Sequence, residues 1–195
     1  MDELPPLVRR AHTVAERLGF PLTRDQSGPS ASLPGVGRFL AVLAAGCADG
    51  RIGELGTGVG VGTAWMAGAM PVGCELVTVE LDELRASAAR EVLADEPGVE
   101  VITGDAFSVL AERAPFDLLF ADGGKSDPAA LVGLLRIGGR LVVDDVTPTQ
   151  LLPPDSPYRT DDPKRRIFFT DPRLVSTEVV LPDLRNSLLV GTRVR

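Results

Sequence analysis

The sequence has few residues of the types that build zinc centres or disulfide frameworks, with one His and two Cys among 195 residues. Cys47 and Cys74 have neither metal-ligand spacing nor the density of a disulfide framework. We therefore expect buried free thiols in a reducing compartment, the cytoplasm. The N-terminus lacks the apolar core of a signal peptide, and the longest apolar run, about residues 39–48, is too short to span a bilayer. These absences predict that the partner is not a membrane.

Positive charge is also scarce, because the formal net charge is −7. Nucleic acids and anionic membranes attract basic surfaces, so a small molecule is the expected partner. The hydrophobic share of 44% and the charged share of 24% are typical of a globular protein. The length predicts a single domain over residues 1–195, with an N-terminal helical and lid segment (1–46) and an α/β core (47–195). Whether the chain is a monomer or a homodimer is left open.

The dinucleotide fingerprint Gly-x-Gly-x-x-Gly is missing from the most glycine-rich stretch, RIGELGTGVGVG at residues 51–62. The stretch reads instead as a strand, a turn with glycines at 56, 58, 60 and 62, and the start of an apolar helix. Such a corner holds ligands in doubly wound α/β domains, since glycines let the backbone approach closely. Glu54 places a negative charge there, which suits a cationic ligand better than a pyrophosphate.

Strand and helix patterns alternate after residue 50, which predicts parallel strands joined by right-handed crossovers. The fifth strand is predicted at 139–144. The last two strands, about 174–181 and 187–194, are separated by too few residues for a crossover, so they are predicted to form an antiparallel hairpin. The predicted fold class is α/β, a doubly wound and mostly parallel sheet with a C-terminal antiparallel hairpin.

Acidic residues follow five consecutive predicted strands, at the edge where doubly wound sheets bind ligands. They are Glu54, Glu80, Asp105, Asp122, and Asp144 with Asp145. Glu80 lies 24 residues after Gly56 and can accept hydrogen bonds from both hydroxyls of a ribose. Asp105 can accept from an adenine amino group while the Ala106 amide donates to the ring. The alternative for Asp105 is an N-cap of the following helix.

Three of these carboxylates, Asp122, Asp144 and Asp145, are expected to converge beside one cleft. They would repel one another unless a cation neutralised them. Carboxylate oxygens of this kind suit Mg²⁺, Mn²⁺ or Ca²⁺ rather than zinc. The sequence therefore predicts a divalent-cation site, with Mg²⁺ as the expected ion.

Two sets of motifs carry a family resemblance. Glu-x-Gly-x-Gly-x-Gly after a strand resembles motif I of the class I S-adenosylmethionine-dependent methyltransferases. FADGGKSD at 120–127 and VVDDV at 142–146 resemble the metal-dependent O-methyltransferases of the catechol and caffeoyl-coenzyme A type. The likeness extends from about Gly37 to Val146 and resumes at 170–174 and 179–182.

The resemblance implies roles for particular residues. It assigns Asp122, Asp144 and Asp145 to the metal, with Asp145 standing where the family has Asn, and it places Lys125 beside that metal. It assigns Ser30 and Ser32 to the methionine end of S-adenosylmethionine. Gly62 replaces a serine that contacts the cofactor, and the adjacent Thr63 is expected to substitute. The full set expected at the cofactor is Ser30, Ser32, Glu54, Gly56, Gly58, Gly60, Gly62, Thr63, Glu80, Asp105, Ala106 and Asp122.

The expected reaction is transfer of the methyl group to a hydroxyl of a small, phenol-like acceptor. Asp122 and Lys125 are the expected catalytic residues, with Lys125 as the base. Only two of the 20 Lys and Arg residues are lysines, which favours a need for a titratable amine at residue 125; the alternative is a solvated turn lysine. Metal-independent methyl transfer to nitrogen or carbon, a nicotinamide oxidoreductase and a non-catalytic adenosine sensor are the alternative functions.

Overall fold

The computed structural model describes residues 4–20, 31–122, 127–181 and 186–195. Within them the strands are β1 Arg51–Leu55, β2 Glu75–Glu80, β3 Val99–Thr103, β4 Phe116–Ala121, β5 Leu135–Val146, β6 Leu174–Leu181 and β7 Asn186–Arg193. They form a seven-stranded sheet in the order β3-β2-β1-β4-β5-β7-β6. Strands β1 to β5 pair in parallel, whereas β7 pairs antiparallel with both β5 and β6. The predicted fold class, including the C-terminal hairpin, is confirmed.

The helices of the described residues are α1 Pro6–Arg17, α2 Pro34–Ala45, α3 Val61–Ala67, α4 Glu83–Leu93, α5 Ala106–Arg113, α6 Pro128–Gly133 and α7 Pro163–Thr170. Short 3₁₀ turns lie at Thr149–Leu151 and Pro157–Arg159. Aspartates cap the N-termini of four helices, because each carboxylate accepts a hydrogen bond from a first-turn amide that has no partner within the helix. These caps are Asp82, Asp105, Asp127 and Asp162.

The sheet is buried on both faces, as parallel sheets with crossover helices are. Leu119 of β4 packs with Leu110 of α5 and Phe168 of α7 on one face. Its neighbour Phe120 points to the other face and packs with Leu40 of α2. A third cluster joins α1, α3 and α4 beyond that second face. No helix in the described part of the chain is long and apolar enough to cross a membrane.

Strand β5 begins earlier than the predicted 139–144, at Leu135. Its register against β4 shifts, with Phe116 beside Leu135 and Leu118 beside Arg140, so β5 carries extra residues here. Gly139 permits this, since a Cβ on it would lie 2.6 Å from the Phe116 carbonyl oxygen. The glycine pair at 138–139 accommodates an irregularity within the strand.

The strand registers align the functional edge of the sheet. In these registers the last core residues of four strands lie side by side. They are Leu55, Val79, Ala121 and Val143. The residues that follow them in the chain are Gly56, Glu80, Asp122 and Asp144. Since all four strands are parallel, these residues lie along one carboxyl edge, as the sequence predicted.

Candidate functional site

The turn between β1 and α3 is a glycine loop with its backbone pressed against the neighbouring strand. Gly56 has φ +90°, and a Cβ there would collide with the main-chain carbonyl of Asp122. Its amide donates to the Val79 carbonyl at 2.9 Å. Gly58 has φ +55°, yet a Cβ on it would meet no atom within 4 Å. The loop is therefore tight on its protein side and open at Gly58, where a ligand can approach.

Glu80 holds this loop in place from the end of β2. Its Oε2 accepts a hydrogen bond from the Gly58 amide at 2.8 Å, and its Oε1 accepts from the Asp82 amide at 3.1 Å. The side chain is only 7% exposed. A carboxylate oxygen can accept two hydrogen bonds, so each oxygen keeps capacity for a ribose hydroxyl. Glu80 thus combines a structural role with the geometry expected of a ribose acceptor.

Glu54 is buried beneath the loop, with 1% exposure. Its Oε2 accepts from the hydroxyls of Thr63 at 2.5 Å and Thr78 at 2.6 Å. Burial raises the pKa of Glu54 to about 7; the two threonine hydrogen bonds oppose this shift and the charge of Glu80 adds to it. Desolvation disfavours the carboxylate, and a nearby cation would restore the charged form. Buried Glu54 therefore favours a positively charged ligand at this site.

Ser32, Gly62 and Thr63 lie close to Glu54 and Asp122. The Ser32 hydroxyl donates to Asp122 Oδ2 at 3.4 Å. A Cβ on Gly62 would lie 2.8 Å from Glu54 Oε1 and 2.9 Å from Ser32 Oγ, so a serine at residue 62 would crowd both groups. Thr63 uses its hydroxyl on Glu54. Ser30, the other predicted serine, lies outside the described residues.

Asp105 and Ala106 stand at the start of α5, after β3. Asp105 Oδ1 accepts from the Ser108 amide at 2.9 Å and from the Ser108 hydroxyl at 2.6 Å, and these bonds hold the pKa of Asp105 below its usual value. The structure therefore gives Asp105 the N-cap role that the sequence left as an alternative. Ala106 is the first helical residue, so its amide belongs to the turn that lacks acceptors within the helix.

Asp122 follows β4 and lies among other acids. The pKa of Asp122 is well above its ordinary value because the side chain is desolvated, and because the charges of Asp144, Asp145 and Glu54 oppose its ionisation. The hydrogen bond from Ser32 acts in the opposite direction. The structure thus brings the predicted acids close enough to repel one another. Lys125 lies outside the described residues.

Asp144 and Asp145 form a bulge in β5. Val143 pairs with Leu189 and Val146 with Ser187, so the two aspartates oppose the single residue Leu188 of β7. Asp145 adopts φ +58°, an uncommon conformation for a residue other than glycine. Asp144 is buried, and its Oδ1 accepts from the Asp145 amide at 2.7 Å and from Asn186 Nδ2 at 2.6 Å. Bulges of this type commonly redirect side chains next to active sites.

A metal ion fits this site only if the donor atoms suit it and if they are arranged to hold it. Hard oxygen donors with mutual repulsion, as at Asp122 and Asp144, suit a divalent cation. Across residues 4–20, 31–122, 127–181 and 186–195, however, no group of three or more His, Cys, Asp or Glu is arranged to hold a metal ion. The donor chemistry fits the predicted ion, but the predicted three-ligand set is not assembled in the described residues.

Sequence reasoning missed three polar residues of the site, of which two reach the end of β5 and one reaches Glu54. Asn186 donates to Asp144, and Lys164 Nζ donates to the Asp144 carbonyl at 3.3 Å. Thr78, fully buried within β2, donates to Glu54. The available signal for Thr78 was a polar residue within an apolar, buried strand. The same signal applied to Asn186, the first residue of the apolar strand β7.

Comparisons with known proteins identify the class of enzyme. The sequence model of the protein-L-isoaspartate(D-aspartate) O-methyltransferase family matches residues 36–152. A catechol O-methyltransferase of Niastella koreensis is 33% identical over 158 residues, covering 69% of this chain and 71% of the relative. A catechol O-methyltransferase of Mycobacterium tuberculosis is 39% identical over 122 residues, covering 56% of this chain and 54% of that relative, so the match spans about half of the second protein.

Solved structures share the fold over nearly the whole chain. An O-methyltransferase of Bacillus cereus in complex with SAH superposes with a TM-score of 0.76 at 24% identity, covering 99% of this chain and 93% of that one. The O-methyltransferase TomG of Streptomyces achromogenes, in complex with SAM, gives 0.75 at 24% identity and covers 99% and 92%. At this level of identity the two likenesses establish the methyltransferase fold.

The fold, the glycine loop and these relatives define an enzyme that transfers a methyl group. The chain belongs to the S-adenosylmethionine-dependent O-methyltransferase family. This membership confirms the predicted class of enzyme and decides against the nicotinamide oxidoreductase and the adenosine sensor. The name of the Niastella koreensis relative specifies catechol as the acceptor, whereas the name of the matching family model specifies protein L-isoaspartate or D-aspartate.

Proposed function

We propose that this enzyme methylates a hydroxyl group of a small, phenol-like molecule, with S-adenosylmethionine as the donor and a divalent cation at the acceptor site. The observation that carries the proposal is the row of acids at one sheet edge, which runs from the glycine loop at Gly56 and Glu80 to Asp122 and Asp144. The catechol O-methyltransferases among the relatives support the choice of acceptor.

The cofactor half of the proposed site is the glycine loop with its two acids. The open side of Gly58 admits the cofactor, and Glu80 accepts from its ribose hydroxyls. Glu54 and Asp122 favour the positive charge of the methionine end, since both are desolvated acids. Asp105 and the Ala106 amide bind the adenine at the start of α5. Asp105 can do so while it caps the helix, because both described bonds from Ser108 use Oδ1.

The segment before β1 is proposed to close over the methionine end, within a single domain. Ala31 and Leu33 are buried, and Ser32 between them reaches Asp122. α1 packs on α3 and α4, where Arg10 Nε donates to the Val92 carbonyl at 3.1 Å. We place Ser30 with Ser32 at the methionine end on the strength of the sequence resemblance.

The acceptor half of the proposed site lies at Asp122, Asp144 and Asp145, which would hold the cation. When bound, that ion acts as a Lewis acid that lowers the pKa of an acceptor hydroxyl. Lys125 is proposed to take the hydroxyl proton, and Asp122 orients the reacting groups. The acceptor oxygen then forms a bond to the methyl carbon as the bond from carbon to sulfur breaks, so positioning in line is the enzyme's main contribution.

A second acceptor, the carboxyl group of an isoaspartyl peptide, follows from the family model that matches residues 36–152. The negative charges at the sheet edge disfavour this carboxyl acceptor. The edge already carries Asp122, Asp144 and Asp145, whose charges interact unfavourably. A carboxylate acceptor adds another negative charge, whereas a neutral phenol does not, so the hydroxyl acceptor is the better match.

The test is a methyl-transfer assay with radiolabelled S-adenosylmethionine, offering catechol and an isoaspartyl peptide in parallel, each with Mg²⁺ or with excess chelator. We expect product from catechol with Mg²⁺ and loss of that product with the chelator. Methylation of the peptide alone would replace the proposed acceptor by a protein carboxyl group. Full turnover of catechol in excess chelator would remove the cation from the proposal.

A further inference from the structure

Asp144 is held by two donors that come from different strands. The amide of Asp145, in β5 itself, and Nδ2 of Asn186, in β7, both donate to Asp144 Oδ1, at 2.7 and 2.6 Å. Asn186 is 1% exposed and Asp144 is 6% exposed, so the pair is shielded from water. Hydrogen bonds from amides to a buried carboxylate are charge-assisted and stronger than bonds between neutral groups.

The backbone around Asp144 is distorted to make this arrangement. The bulge sets two residues of β5 against Leu188, and Asp145 takes φ +58°. Such a conformation is strained in a residue other than glycine and persists only where its surroundings enforce it. Here it directs the Asp145 amide at the Asp144 carboxylate.

Polar residues of α7 and β7 fix the main chain on both sides of the bulge. Lys164 Nζ donates to the Asp144 carbonyl at 3.3 Å, and Arg165 Nη2 donates to the Thr147 carbonyl at 2.8 Å. Ser187 Oγ lies 3.0 Å from the Val146 carbonyl oxygen and 2.6 Å from Glu178 Oε1, and its one proton can be donated to either acceptor. These contacts hold the backbone, whereas Asn186 contacts the carboxylate itself. Asn186 is thus a described side chain that restrains the Asp144 carboxylate directly.

We infer that Asn186 is a positioning residue of the acceptor site, which fixes the Asp144 carboxylate for the cation and the acceptor hydroxyl through its amide. The inference rests on the proposed function of Asp144. Asp144 is a buried acid beside Asp122 and Asp145, whose negative charges repel its own. Its carboxylate therefore needs a partner that keeps it oriented. An amide is suited to this task because it donates to a carboxylate without adding charge.

The test compares Asn186→Ser, whose hydroxyl is too short to reach Asp144, with Ser187→Ala. The second variant removes a buried donor from the adjacent residue, but that hydroxyl contacts the Val146 carbonyl and the Glu178 carboxylate instead of Asp144. Mn²⁺ affinity is measured by electron paramagnetic resonance, and S-adenosylhomocysteine affinity by calorimetry. We expect Asn186→Ser to bind Mn²⁺ about 10–100-fold more weakly with unchanged S-adenosylhomocysteine affinity, and Ser187→Ala to bind both ligands like wild type.

Equal Mn²⁺ affinity in Asn186→Ser and wild type would overturn the inference, as would a parallel loss of S-adenosylhomocysteine binding, which indicates a merely structural role. If Asn186→Ser does not fold, Asn186→Leu replaces it, since it keeps a similar volume and removes the donor without adding charge. If wild type itself binds no Mn²⁺, the proposed cation fails. Crystal structures then decide the inference, because a rotated Asp144 carboxylate in the variant supports it and an unmoved one refutes it.

Discussion

Glu54 is expected to make the stability of the protein depend on pH. Burial raises the pKa of this carboxyl from 4.5 to about 7. Between these two values the folded protein binds more protons than the unfolded chain, so its stability falls as the pH rises through that window. The stabilisation that protonated Glu54 contributes to the folded protein is complete below about pH 4.5 and lost above about pH 7. A shift of this size corresponds to about 3 kcal/mol.

The assay is urea unfolding of wild type, Glu54→Gln and Glu91→Gln at pH 5 and pH 8, without ligands. Glutamine keeps an acceptor for the hydroxyls of Thr63 and Thr78 but cannot ionise. Relative to wild type, Glu54→Gln should become more stable by about 2.5 kcal/mol between pH 5 and pH 8. Glu91 is exposed, and its ion pair with Arg17 is worth little, so Glu91→Gln should follow wild type. Identical pH profiles for wild type and Glu54→Gln would refute the reasoning.

The same titration links Glu54 to the cofactor. The ammonium group that S-adenosylhomocysteine keeps at its methionine end favours ionised Glu54, so its binding at pH 6 should release protons. Calorimetry in buffers of different ionisation enthalpy counts them. Wild type should release more protons than Glu54→Gln. Equal release by the two proteins would separate Glu54 from the cofactor.

Three further predictions concern Glu80, Asp145 and Lys125. Glu80→Ala should weaken S-adenosylhomocysteine binding by about 1–3 kcal/mol in calorimetry, through lost ribose bonds and a loosened loop, and unchanged affinity would remove Glu80 from the site. Asp145→Gly should relieve the φ of +58° and raise the free energy of unfolding by about 1 kcal/mol, whereas a destabilised variant would contradict the strain argument. Lys125→Arg should lower turnover by about 10²–10⁴-fold at constant cofactor affinity, because arginine cannot act as a base; near wild-type turnover would return Lys125 to a turn residue.

The sequence was sufficient for the fold because its local patterns agree with one topology. Alternation of strands and helices predicted the parallel sheet, and the short link before β7 predicted the hairpin. The start of β5 was missed because its first residues precede a register shift against β4. Gly139 is required by close approach to the Phe116 carbonyl, a contact that is visible only after β4 and β5 are paired.

The candidate site was predictable where it depends on strand ends. Glu80 and Asp122 follow parallel strands, so their convergence needs only the topology. The partner of Asp144 was not predictable, since Asn186 lies 42 residues further along the chain and reaches Asp144 only through the bulge in β5. The N-cap role of Asp105 was equally open, because the same residue type serves a helix terminus and a ligand.

A crystal structure of the enzyme with S-adenosylhomocysteine, catechol and Mg²⁺ tests the central claim most directly. We predict that the ribose hydroxyls bind Glu80 and that the glycine-loop backbone at Gly58 contacts the cofactor. We also predict that a catechol oxygen lies at the sheet edge formed by Asp122 and Asp144. S-adenosylhomocysteine bound away from Gly58 and Glu80, or catechol bound away from those aspartates, would contradict it.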